Sequence, residues 1–304
     1  MILMNNETNE AENETRELKG TINALWHYFE RDFIEESTAQ YEQKAISGLS
    51  NLDFALNGGF SPQLYSLIGR MGDERNAFLS FMAEHFATTG YTVLYFTNHD
   101  TENSLLQKII ARHDYKEHRD QAHHLPEIIN KISSSPQTFQ EYQTSLYPLL
   151  TNIHVETCNY VDSDLLVDMI KSCKKANQKV AVLIDEKVQL YNQRNIDRLL
   201  HQIHLRTINK IANEYEVPIF MNVTLAKGDF ERVTEGFRTT IEIETNADNI
   251  ILFSNYVSPY NNETLHSTLN PYVIKLLIRS NRSPYKTQIT HLTYHPTHFY
   301  FQDA

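Results

Sequence analysis

An α/β fold built on a mostly parallel sheet is the expectation for this chain, and three features carry it. Short β-rich runs alternate with helical periodicity from about residue 46 onward. A glycine-bounded loop stands between an early strand and the helix after it. Near the end the pattern changes, and strands follow one another through short connections.

Strands are expected at 65–69, 92–97, 153–156, 180–185 and 218–223, with helices at 76–89, 101–112, 162–177 and 194–216. Such alternation implies right-handed crossovers and parallel strands, with helices covering both faces of the sheet. Runs at 249–254, 272–279, 287–294 and 299–301 have no helices between them, so they finish the sheet as an antiparallel meander. Residues 113–150, with several histidines and Pro126, Pro136 and Pro148, read as a helical insertion on the rim of the sheet.

The chain opens differently. Residues 1–16 are acidic and Asn-rich, with almost nothing to bury, and read as a disordered tail. In the linker segment 17–45, Leu18, Ile22, Leu25, Trp26, Phe29 and Phe33 recur at helical spacing. That amphipathic helix needs a partner surface, either its own domain or a neighbouring subunit or other protein. The sequence leaves both open.

With 304 residues, 41% of them hydrophobic, one main domain over 46–304 is the economical arrangement. A net charge of -11 argues against wholesale electrostatic wrapping of nucleic acid, although a local basic patch can still meet phosphates. No apolar run approaches a membrane span, and the N-terminus lacks the layout of a signal peptide. Cys158 and Cys173 have no ligand-like spacing. They are expected to be reduced, in a cytoplasmic protein.

The glycine-bounded loop runs from Gly69 through Gly72 to Asp73, Glu74, Arg75, Asn76 and Ala77. A strand, a glycine loop and a helix N-terminus form a phosphate cradle of backbone N–H groups. A working loop then places Lys against the β/γ-phosphates and Ser or Thr on magnesium. Here the lysine place falls on Glu74 or Arg75, and no hydroxyl follows either. Asp73 and Glu74 put negative charge where a triphosphate would sit.

At these residues the chain resembles the C-terminal motor domain of DnaB-type replicative helicases, a RecA-like α/β fold. The stretch 46–53 with Gly58 and Gly59 looks like that family's approach to its first strand. Val217, Pro218, Ile219 and Phe220 look like its fourth core strand, and Asn246 to Ile250 like its aspartate-alanine-aspartate strand. The resemblance spans 46–304 and implies an ATP- and magnesium-dependent ring of six.

Carried over residue by residue, the resemblance finds departures. The family's catalytic glutamate falls at His99, beside Asp100, and the magnesium-anchoring strand ends in Asp185 and Glu186, either of which can be the equivalent. The glutamine sensor becomes Thr224. The lysine-x-arginine pair offered to a neighbour's ATP becomes Arg279, Asn281 and Arg282, with the arginine one place late and so on the other strand face. Lys227, Arg232 and Arg238 remain in the stretch that resembles the DNA-contacting loop, but three acids cancel their charge.

Gly69, Gly72, Arg75, Asn76, Arg279 and Arg282 are thus nucleotide-site candidates, His99, Asp185 and Glu186 vestigial catalytic ones, and Lys227, Arg232 and Arg238 DNA contacts. The expectation is a protein of DNA replication or recombination that has lost ATP hydrolysis, needs no cofactor, and binds a replicative helicase or loader. Weak single-stranded DNA binding and homo-oligomerisation accompany that reading; an active ATP-dependent helicase with an atypical loop is the alternative. His113, His118, His123 and His124, near Asp114, Glu117 and Asp120, offer transition-metal ligands. None has His-Glu-x-x-His spacing and a polar surface helix explains them as well, so no metal is expected.

Overall fold

The structure is a computed structural model and describes residues 44–69, 74–98, 101–158, 161–189, 195–224, 247–255, 270–280 and 287–304. The expected tail and the 18–34 helix lie outside these residues. One compact unit spans Ala45–Ala304.

Among the described residues, nine strands form a single sheet: β1 (Leu64–Gly69), β2 (Tyr91–Thr97), β3 (Ile153–Thr157), β4 (Lys179–Gln189), β5 (Ile219–Thr224), β6 (Asn249–Asn255), β7 (Tyr272–Ser280), β8 (Gln288–His295) and β9 (Tyr300–Asp303). Their spatial order is β3-β2-β4-β5-β1-β6-β7-β8-β9. Pairing is parallel from β3 through β6 and antiparallel from β6 to β9, as the alternation and the helix-free end predict. Among the described residues, seven α-helices accompany the sheet: α1 (Ser50–Ala55), α2 (Glu74–Thr88), α3 (Glu102–His118), α4 (Leu125–Ser134), α5 (Pro136–Leu150), α6 (Ser163–Lys175) and α7 (Asn195–Glu214).

Alternate residues of a strand point to opposite faces, so a sheet covered on both sides reads as an unbroken apolar run. Every residue of β1 is buried. Tyr65, Leu67, Val93, Tyr95, Leu183 and Phe220 enter one core, under α2 and α3. Their neighbours Leu64, Ile68, Leu94, Val182, Ile219 and Met221 enter the other, with Leu166 and Ile170 of α6 and Leu205, Ile208 and Ala212 of α7. Cys158 and Cys173 pack half-buried against this second core.

Three expectations change. Helix α3 continues past Arg112 to His118, and β4 continues past Asp185 to Gln189 through a register shift against β5. The insertion is not a rim appendage: Ile128 of α4 and Leu146 of α5 are buried in the core that α2 and α3 cover. Among the described residues, no helix is long and apolar enough to cross a membrane.

Two local devices hold the edges of this architecture in place. Gly59, at φ 117°, brings its backbone so close to Ala45 that a Cβ would sit 2.8 Å from the Ala45 carbonyl oxygen, where Ala45 and Phe60 exchange hydrogen bonds. Asp248 accepts the Leu64 N–H at 3.1 Å, tying the start of β6 to the start of β1.

Candidate functional site

In an open parallel sheet the ligand crevice lies beyond the carboxyl ends of the strands. Here β1 ends at Gly69, paired with Thr224 at the end of β5, and α2 begins at Glu74. The register shift between β4 and β5 begins after Ile184, so Asp185 sits where the pairing is interrupted, a common device beside a functional site.

Two side chains of the first turn of α2, Arg75 and Asn76, reach back to these strand ends, and a third, Glu74, meets the start of β7. Arg75, 2% exposed, donates through Nη1 to the Val223 carbonyl and to the Leu67 carbonyl at 3.4 Å, and through Nη2 to Thr224 Oγ1 at 3.0 Å. Asn76 Oδ1 accepts from Asn222 Nδ2 at 2.9 Å, and the same nitrogen donates to Asp185 Oδ1 at 2.8 Å. Glu74, buried, accepts the Tyr272 hydroxyl through Oε1, while its Oε2 has no hydrogen-bond partner among the described residues. Burial, reinforced by the Glu74 carboxylate, holds the Tyr294 phenol above its ordinary pKa.

This geometry links the first turn of α2 to Asp185 of β4 through Asn222. In phosphate loops the hydroxyl after the lysine and the carboxylate of the magnesium strand converge on one ion. The pair that converges here is Asn76 and Asp185, with Asn222 between them.

Magnesium takes hard oxygen ligands in near-octahedral geometry. Asp185 Oδ1 and Asn76 Oδ1 instead both accept hydrogen bonds from one amide nitrogen, and the Arg75 guanidinium bonds the sheet. As packed, these residues do not fit a magnesium-bound triphosphate.

The structure brings together Gly69, Arg75, Asn76 and Asp185. It separates Arg279, which pairs with Ile250 early in β6 and so lies towards the opposite edge of the sheet. Glu186 is in β4, but its side chain is not among those described. Gly72, His99, Lys227, Arg232, Arg238 and Arg282 lie outside the described residues. Sequence reasoning missed Asn222, whose only signal is one amide inside the otherwise apolar run Ile219–Val223.

No family model matches the chain, and no curated protein matches it. Solved structures do. A solved ATPase domain superposes with a TM-score of 0.68 at 15% identity, over 93% of this chain and 98% of that one. A DnaB-like replicative helicase, in a structure concerned with its interactions with primase, gives 0.64 at 14% identity over 85% of this chain; the match spans 61% of that helicase. A KaiC-like protein from the archaeon Pyrococcus horikoshii gives 0.53 at 18% identity, over 86% of this chain and 98% of that one. With the strand order and the antiparallel end, these likenesses identify the fold of this chain as the RecA-like fold of DnaB-type helicase ATPase domains.

Proposed function

We propose that this chain is a DnaB-helicase-like protein of DNA replication or recombination that has lost ATP hydrolysis and acts by binding, as a scaffolding or regulatory partner of a replicative helicase or its loader. The observation that carries the reading is the first turn of α2. Arg75 holds the place of the phosphate-binding lysine but turns its guanidinium onto Val223, Leu67 and Thr224. Phosphoryl transfer depends almost wholly on positioning and on cations around the phosphates, so a cation committed to the sheet removes the main source of rate. Asn76 adds an amide where a magnesium-binding hydroxyl is required.

The test is a thermal-shift titration of the full chain with a non-hydrolysable ATP analogue and magnesium, beside an Arg75→Lys, Asn76→Thr variant. A ligand at 100 times its Kd stabilises the native state by about 2.7 kcal/mol. No shift of the natural chain at millimolar nucleotide is the expected result. A magnesium-dependent shift of the natural chain overturns the reading and makes ATP turnover on single-stranded DNA the next measurement.

A further inference from the structure

We propose that Asp114, His118 and His123 form a binding site for one divalent transition-metal ion of the zinc class, which staples the 119–124 connection to the end of α3. Among the described residues, these three offer ligand atoms that all lie within 4.8 Å of one another. Asp114 and His118 stand one turn apart on α3 and so share a face. The helix stops at His118, and Arg119, at φ 51°, reverses the chain through a single 3-10 turn. That reversal returns His123 to Asp114, a neighbourhood that spacing along the sequence does not announce.

Distances fit a small tetrahedral ion. Asp114 Oδ1 lies 3.2 Å from His118 Nδ1 and 3.3 Å from His123 Nδ1. With metal–ligand bonds of about 2.0–2.1 Å, the edge of a ligand tetrahedron is about 3.3 Å, so two of the three edges already have the required length. Two imidazoles and one carboxylate suit zinc and its neighbours better than magnesium or calcium, and a water completes four-coordination.

The shell around the carboxylate is built. Asp114 Oδ2 accepts the His123 backbone N–H at 2.6 Å, and Oδ1 accepts the Tyr142 hydroxyl of α5 at 3.0 Å. The Asp114 side chain is 3% exposed, against 47% for His118 and 31% for His123, which leaves an approach from solvent.

Two contacts oppose the ion: the Asp114 main-chain carbonyl accepts from His118 Nδ1 at 3.0 Å, a bond that must break for that nitrogen to take metal, and the second is made by Lys131. Its Nζ lies 2.6 Å from His123 Nε2, a contact that needs Nε2 to accept. Metal on Nδ1 places the imidazole proton on Nε2, and the exposed Lys131 must then swing away. A glutamine there removes a positive charge and supplies a carbonyl acceptor.

The experiment strips the full chain with a chelator and titrates it with zinc chloride by calorimetry, then with cobalt(II) by visible absorption. One saturable equivalent is expected, with the cobalt spectrum of a tetrahedral site. His118→Gln, at an exposed side chain, and His123→Gln, at a half-buried one, should each weaken zinc by more than about tenfold while keeping the wild-type circular dichroism. Lys131→Gln should tighten it. Zinc affinity unchanged in both histidine variants, or no saturable uptake by the natural chain, overturns the site; weaker zinc in Lys131→Gln overturns coordination through Nδ1.

Discussion

The first turn of α2 and its later turns bury charge in opposite ways. In the later turns, Arg112 of α3 meets Glu84 Oε2 at 2.6 Å, Ser80 Oγ at 3.0 Å, the Ser80 carbonyl at 2.9 Å and the Phe299 carbonyl at 3.3 Å. Lys116 reaches the other Glu84 oxygen. In the first turn, Glu74 Oε2 and, facing that turn from β5, Asn222 Oδ1 are buried without a partner among the described residues. A polar network maintained for stability tends to be complete, whereas one shaped around a ligand keeps groups whose partners came from outside. On that ground the Arg112–Glu84–Ser80 network is architecture and the first turn carries the form of a ligand site, although His85 Nε2, also in the later turns, is likewise buried without a partner among the described residues.

The largest expected effect lies on the architectural side. Arg112→Met leaves Glu84 buried beside a single, half-exposed lysine and should cost about 3–5 kcal/mol in urea unfolding. A loss under about 1 kcal/mol would reduce the pair to the standing of a surface bridge. The pH dependence sharpens this. Burial pushes the Glu84 carboxyl up, but Arg112 and Lys116 together bring it below its ordinary value. A carboxyl lowered in the folded state adds stability that is complete above the unfolded pKa, about 4.3, and is lost as pH falls through the folded one. The gap in unfolding free energy between wild type and Arg112→Met should therefore narrow below about pH 4.3.

Next in size is Arg75→Met. It removes donors from two carbonyls and a hydroxyl and should cost about 1–3 kcal/mol. A cost equal to that of Arg112→Met would make Arg75 an anchor of the sheet and erase the contrast between the two turns.

What the sequence made legible follows from burial. Parallel strands covered on both faces are apolar throughout, so β1, β2, β4 and β5 stand out, and the meander shows in the alternating burial of β7 and β8. Less visible was whatever depends on a single side chain or a local reversal. The six-residue α1 is too short for a periodic signal. The insertion joins the core through isolated anchors, Ile128 and Leu146, that read as ordinary positions of polar helices. At the candidate site, Arg75, Asn76 and Asp185 stood among the candidates offered by the order of strand, loop and helix, with Glu74 and Glu186 left open beside them. Asn222 was not, because an amide within an apolar strand has no pattern of its own. Which of the four clustered histidines meet Asp114 was not legible for a related reason, since the return of His123 turns on the backbone of Arg119.

Asn76→Ala is the smallest and most discriminating change. It removes one of the two acceptors of Asn222 Nδ2, and the other, Asp185 Oδ1 at 2.8 Å, remains. Because a charged acceptor makes the stronger bond and stays in place, the loss should be at most about 1 kcal/mol. Asn76 is half-buried at the open end of the sheet, so a water can take its place. A loss near 3 kcal/mol would mean that the amide bridge supports the β4–β5 edge as Arg112 supports α2 and α3, and the first turn would then be architecture too.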